Sequence, residues 1–212
     1  MPSLGPGPDW AIERIPPDDR GLDFYLKEYK PFRLTALQQD PDAFGSTYAR
    51  EVAFTDEDWR KRLSNPIGKT FVVVQLPDRR ILAATSLWGP MPNSEPLSNP
   101  NVATAVTNPQ TLENTETPLT YHLTGVYTRA EARGRGFGQA VVKIAVDSAH
   151  NEARRLGREC RLGVEVYATN TVAISFYEKC GFVTTGPRPA DEDTEAARQE
   201  LLMHYRDATR TA

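Results

Sequence analysis

The chain predicts an α+β fold, a mixed central sheet with helices on both faces, and three observations carry this. Residues 71–76 and 81–88 are two apolar runs on either side of Pro77-Asp78-Arg79-Arg80, an antiparallel hairpin around a turn. Val142, Ala145, Ala149, Ala153 and Leu156 recur at spacings of three and four between Gln139 and Leu156. They form one face of a helix that Gly157 is placed to end. Leu162, Val164 and Val166 alternate with Gly163 and Glu165, as in a half-buried strand over 161–167.

The remaining elements follow in order. Residues 10–15 alternate weakly and read as a first strand, broken by Pro16-Pro17-Asp18. Leu22, Tyr25, Leu26, Tyr29 and Arg33 fall at helical spacing, with Pro31 interrupting and 32–39 continuing up to Asp40-Pro41. Thr55 is a capping residue, and Asp56, Glu57 and Asp58 sit where a helix dipole favours acids, so a helix starts there with Trp59 and Leu63 inward. Residues 89–118 hold six of the 17 prolines and many Asn, Ser and Thr, which predicts a surface insertion or lid. Residues 119–128 read as a strand. Asn170 caps a helix running to about Cys180 and closed by Gly181. A strand starts over 182–184, a polar loop spans 187–197, and Leu201, Met203 and Tyr205 alternate as a final strand. One domain over 1–212 is expected, with 89–118 as a decoration of it.

Composition narrows the function. With 25 Lys+Arg against 28 Asp+Glu the formal net charge is −3, which argues against a broad nucleic-acid-binding surface. No stretch approaches about 18 consecutive apolar residues, so no membrane-spanning helix is expected. Residues 1–8 lack a basic segment followed by an apolar run, which points to a cytoplasmic chain with Cys160 and Cys180 as reduced thiols. His122, His150 and His204 and the two cysteines have no metal-site spacing, and no metal is expected.

The segment that carries chemistry is Arg133-Gly134-Arg135-Gly136-Phe137-Gly138, between a predicted strand and a predicted helix. Glycines let a ligand approach the backbone, and the helix start adds unpaired N–H groups and a positive dipole end. That combination suits a phosphate or pyrophosphate, with Arg133 and Arg135 as sources of charge-assisted bonds. The glycine spacing fits neither the dinucleotide fingerprint, where Gln139 or Val141 would have to be glycine, nor a P-loop.

Arg133, Gly136 and Gly138 match the Gln/Arg-x-x-Gly-x-Gly/Ala loop that binds coenzyme A in the GNAT N-acetyltransferase superfamily. Asn170-Thr171-Val172-Ala173-Ile174-Ser175-Phe176-Tyr177-Glu178-Lys179-Cys180-Gly181-Phe182 resembles a second segment of that family, N-x-x-A-x-x-F-Y-x-x-x-G-F, in the right order. The run from Arg33 through Asp40-Pro41-Asp42-Ala43-Phe44-Gly45-Ser46-Thr47 resembles a segment common in bacterial and fungal members, where it helps form the acceptor pocket. One departure is plain. Val126 to Arg133 is about two residues longer than the family's strand-to-loop link and lacks its proline, which leaves the place of the strand bulge open.

The resemblance implies a three-layer GNAT fold and direct transfer of an acetyl group from acetyl-CoA to an amine in a ternary complex. Backbone N–H groups of Arg133, Gly134, Arg135, Gly136, Phe137, Gly138 and Gln139 would hold the pyrophosphate. A backbone amide of Val126, Tyr127 or Thr128 would face the thioester oxygen. Asn170, Ala173 and Phe176 are assigned to the cofactor side, with Asn170 also a plain helix cap and Phe176 also readable as core. Tyr177 stands where the family often places the acid that protonates the leaving thiolate, a phenol near ~10 matching a thiol near ~8.5; its other reading is a core tyrosine. Deprotonating an alkyl ammonium at neutral pH costs roughly 4 kcal/mol. Glu165 is the preferred base, alternatively a solvated or salt-bridged strand residue, and Glu51 a weaker candidate. Cys180 reads as a small buried hydrophobe. The acceptor is a small-molecule or peptide amine, with no nucleic-acid or membrane partner, and members often pair as homodimers. Two other functions fit the same residues: a non-catalytic acyl-CoA sensor, and a protein lysine or N-terminal acetyltransferase.

Overall fold

The computed structural model describes residues 9–91, 117–187 and 199–206. Its frame is a seven-stranded sheet of β1 (Trp10–Arg14), β2 (Gly68–Gln75), β3 (Ile81–Met91), β4 (Leu119–Thr128), β5 (Cys160–Tyr167), β6 (Phe182–Pro187) and β7 (Glu200–Tyr205). The spatial order is β1-β2-β3-β4-β5-β7-β6. Every neighbouring pair is antiparallel except β4 and β5, which run parallel. A 19-residue helix, Phe137–Arg155, bridges that parallel pair, as a crossover connection requires.

Helices cover both faces. On one lie α1 (Asp19–Phe24), a π-helical turn (Tyr25–Tyr29), α2 (Lys30–Gln39), α3 (Tyr48–Val52) and α4 (Asp56–Leu63). Tyr25, Tyr29, Phe32, Leu37 and Trp59 pack there against Val72, Val74, Ala84 and Tyr127. On the other lie α5 (Phe137–Arg155) and α6 (Thr171–Lys179), burying Val141, Val142, Ala145, Ala149 and Tyr177 against Leu123, Val164 and Val166. The alternation predicted over 161–167 and Val142, Ala145, Ala149 and Ala153 of the predicted helix face form this second core, whereas Leu156, expected on the same face, caps the end of α5 and is 47% exposed.

Local signals explain most ends. Thr55 and Asp58 form a reciprocal capping box at the start of α4. Asn170 accepts the amide of Ala173 at 3.0 Å at the start of α6. Three expectations shift. Pro31 does not interrupt: α1, the wide turn and α2 are continuous, because the Lys30 N–H reaches back to Tyr25 in an i→i−5 bond just before proline enters the helix at its start. The predicted insertion begins later than residue 89, since Gly89, Pro90 and Met91 belong to β3. Pro90 lies where the β3–β4 register breaks, a place that needs no proline N–H. Pro187 likewise ends β6, which is an edge strand. Residues 92–116 and 188–198 lie outside the described residues.

Candidate active site

The sheet opens at its parallel pair. Pairing runs from Leu119↔Cys160 to Leu123↔Val164 and stops, while β4 continues to Thr128 and β5 to Tyr167. A bulge in β4 accompanies the opening. Ala84 pairs with Tyr127 and Ser86 with Thr124, so β4 holds one residue more than β3 over this stretch. Gly125 takes it up at φ +62, a left-handed value that suits glycine. The extra residue also inverts the strand: Leu119, Tyr121 and Leu123 face α5, yet Tyr127 faces α2. This locates the bulge that the sequence left open, at 124–127. The link to the glycine loop holds a 3₁₀ turn, Ala130–Ala132, with Ala132 buried in the core that α5 covers.

The glycine loop follows. Gly134 and Gly136 have φ +77 and +80, and a Cβ on either would meet no atom within 4 Å. Their backbone is open to an approaching group. No side chain caps α5 at Gly136, so the first amides of a 19-residue helix lack a side-chain partner at the same spot. Gly138 differs. It is helical, and a Cβ there would lie 3.1 Å from Thr128 and 3.2 Å from Phe176, so this glycine lets α5, β4 and α6 meet. The side chains around the turn are engaged within the protein. Phe137 is 3% exposed and packs edge-on against Trp10, leaving only its backbone for a ligand. Tyr127 is likewise turned away, packed on Phe32 and donating to Gln39 at 2.9 Å. Arg133 donates to Asp40 at 2.7 Å and to the Thr128 carbonyl at 3.1 Å, so its guanidinium ties the loop to the end of α2. Arg135 lies over the Phe137 ring, 3.6 Å from Asp9. Val126 packs on the α5 side, and Thr128 touches the Gly138 position. Gln139 is exposed on the first turn of α5.

The second motif lies beside the first. Phe176 contacts Gly138 and stacks edge-on against Tyr177, which packs in turn on Phe182. Asn170 keeps its capping role, and Ala173 is half-buried against the core. Burial raises the Tyr177 phenol above its ordinary value, so it stays protonated at neutral pH. Burial also pushes the Cys180 thiol up to about 11, against a nucleophilic role.

On the opposite face of the sheet, Glu165 projects out of phase with Val164 and Val166. Its Oε2 lies 4.0 Å from Nε2 of His122, a β4 residue that is 3% exposed. In the sequence His122 shows only a lack of metal-site spacing; its place in a strand, between the core residues Tyr121 and Leu123, is the signal for this contact. Among the described residues no cluster fits a metal ion. Glu51 is not a base. It accepts from Arg33 at 2.7 and 3.0 Å and from Arg62 at 3.2 Å, and it is fully buried. Burial alone would raise its carboxyl, but the bonds and charges of Arg33 and Arg62 prevail and hold it at about 2.

The candidate site thus combines a parallel pair that splays beside a bulge with an open glycine turn and a bare helix start at its end. Residues 35–182 match the acetyltransferase (GNAT) family, and the chain belongs to it. Solved structures share the fold. The ribosomal-protein-S5-alanine acetyltransferase from Vibrio fischeri is 16% identical, covering 94% of this chain and 93% of its own, with a TM-score of 0.59. A GNAT acetyltransferase from Streptococcus pneumoniae is 18% identical over 92% and 97%, TM-score 0.56. A variant of the spermidine N-acetyltransferase from Vibrio cholerae is 13% identical over 92% of each, TM-score 0.56. No curated protein matches the chain. Among the described residues no helix is long and apolar enough to cross a membrane.

Proposed function

We propose that this chain is an acetyl-CoA-dependent N-acetyltransferase acting on a primary amine by direct transfer. The observation that carries the reading is the open turn at Gly134 and Gly136, leading into the uncapped start of α5 at the end of a splayed β4–β5 pair. These residues fit coenzyme A: bare amides and a helix dipole for its pyrophosphate, and a gap between strands for its pantetheine arm. When bound, acetyl-CoA supplies the acetyl group as a thioester; a C–N bond to the amine forms, the C–S bond breaks, and an ammonium acceptor releases one net proton.

The chain's own residues do the rest. Backbone amides of 133–139 hold the pyrophosphate, while Arg133 positions the loop through Asp40. A backbone amide of Val126, Tyr127 or Thr128, at the β4 bulge and just past it, donates to the carbonyl oxygen of the bound thioester. Tyr177, kept protonated by burial, donates to the leaving sulfur. Glu165, paired with His122, receives a proton from the acceptor. The experiment is thiol release from acetyl-CoA with a panel of small amines, spermidine and short peptides, run beside calorimetric titration of coenzyme A. Binding together with turnover of at least one amine is expected. Binding without turnover of any amine would overturn the enzymatic reading in favour of an acyl-CoA sensor.

A further inference from the structure

The helical face beside the splay holds a buried excess of positive charge. Arg33 on α2 and Arg62 on α4 share one carboxylate, Glu51 on α3. The two guanidinium side chains are 7% and 12% exposed, and Glu51 is fully buried. The rings beneath them, Phe44 under Arg33 and Trp59 under Arg62, are neutral. An uncompensated charge held out of water is costly unless an anion meets it.

The excess is not placed at random. Arg33 uses Nε and Nη2 on Glu51, while its Nη1 is buried and has no hydrogen-bond partner among the described residues. A buried unpaired donor calls for an acceptor that is absent from the polypeptide. Nη1 lies 3.5 Å from the point where a Cβ on Gly125 would stand, so it is aimed at the left-handed residue of the β4 bulge. Phe44 packs on Arg33 and on Tyr127 at the end of β4. The next residue, Gly45, faces the Tyr167 hydroxyl at the end of β5, 3.8 Å from the position of its missing Cβ. The 44–46 loop thus runs from one unpaired strand end to the other. Arg33 stands on its β4 side, and Glu165, two residues before Tyr167, on its β5 side.

The geometry points to an acceptor that carries its own carboxylate: an amine of the amino-acid class, its ammonium at Glu165 and its carboxylate on Nη1 of Arg33 beside Gly125. The carboxylate completes the hydrogen bonds of Arg33 and neutralises the net charge of the Arg33–Glu51–Arg62 group. An acceptor with only cationic groups does neither and meets like charge. This rests on the acetyl-transfer reading above and adds the acceptor class to it.

The test uses the wild-type chain with acetyl-CoA and matched acceptors: the common L-amino acids, the corresponding carboxamides, and spermidine. Because a hydrogen bond to a charged group is at stake, kcat/KM for the preferred amino acid is expected to exceed that for its own carboxamide by about tenfold or more. In Arg33→Lys, which keeps a cation against Glu51 but loses the planar fork, that ratio is expected to fall toward one. A ratio near one for every wild-type pair, or a preference for carboxamides or spermidine, would overturn the carboxylate assignment and leave acetyl transfer standing. Coenzyme A binding with no acceptor turned over would overturn the acetyl-transfer reading, and this assignment with it.

Discussion

The two sides of the splay are built from different material. On the α5–α6 side the glycine loop offers backbone: left-handed glycines at 134 and 136 and uncapped amides at the start of α5. On the α1–α4 side the material is buried side-chain charge, two arginines closing on one glutamate across 18 and 11 residues of sequence. The first kind of site tolerates changes of side chain but not of backbone freedom. The second depends on each charge having its partner. Substitutions at the open glycines and in the charged group should therefore fail in different ways, the first through ligand affinity and the second through stability.

The largest expected effect is on the charged side. Glu51→Gln leaves two guanidinium groups without their counter-ion, and removing one partner of a buried ion pair costs about 3–5 kcal/mol. Denaturant unfolding at neutral pH measures it. Acid should reproduce the loss in the wild type. The Glu51 carboxyl is held at about 2 against an ordinary 4.5. Its contribution is therefore present above the unfolded value and disappears as pH falls from about 4.5 through about 2, a span worth roughly 3 kcal/mol. The stability difference between wild type and Glu51→Gln should narrow over that window. A constant difference would show that the carboxylate charge is not what holds α3 against α2.

Next in size is Tyr177→Phe. Losing a positioned proton donor typically lowers turnover about a hundredfold or more, and coenzyme A affinity by titration should stay unchanged. Unchanged turnover would return Tyr177 to the core. Smaller again is the contrast among the glycines. Gly136→Ala places a Cβ in a left-handed residue, at a cost of about 1–2 kcal/mol, and crowds the open turn. It should weaken coenzyme A binding. Gly138→Ala instead pushes on Thr128 and Phe176, so it should lower the melting temperature first. If both variants lost affinity and stability in the same proportion, the division of labour within the loop would be wrong.

What the sequence revealed follows the same division. The helix face over 139–156, the alternation over 161–167, the Thr55 and Asn170 caps and the glycine turn are all local patterns, visible within a few residues. The α1–α4 side was opaque for reasons that can be named. Helix α3 has only five residues, too few for a helical period to show. Glu51 looked like a free acid because nothing near it in sequence reveals that Arg33 and Arg62 converge on it. The continuous helix through Pro31 depends on a wide turn that no residue pattern announces. The bulge at Gly125 and the pairing of His122 with Glu165 are properties of strand register, which appears only when β3, β4 and β5 are set side by side.

The smallest expected effect separates two roles for Arg133. From its motif the residue is a cofactor contact; in the fold its guanidinium is held by Asp40 and the Thr128 carbonyl. Both partners are well exposed, 51% and 37%, so the ion pair itself is worth no more than about 1 kcal/mol of stability. If Arg133 acts by tethering the loop to the end of α2, Arg133→Gln and Asp40→Asn remove the same interaction. Each should then weaken coenzyme A binding by the same few-fold, and the double variant should do no worse than either one. If instead Arg133 leaves Asp40 to bond the pyrophosphate, Asp40→Asn frees it and should strengthen binding, while Arg133→Gln weakens it and makes the salt dependence of binding shallower. The sign of the Asp40→Asn effect decides between them, because only a tether makes the carboxylate and the guanidinium fail together.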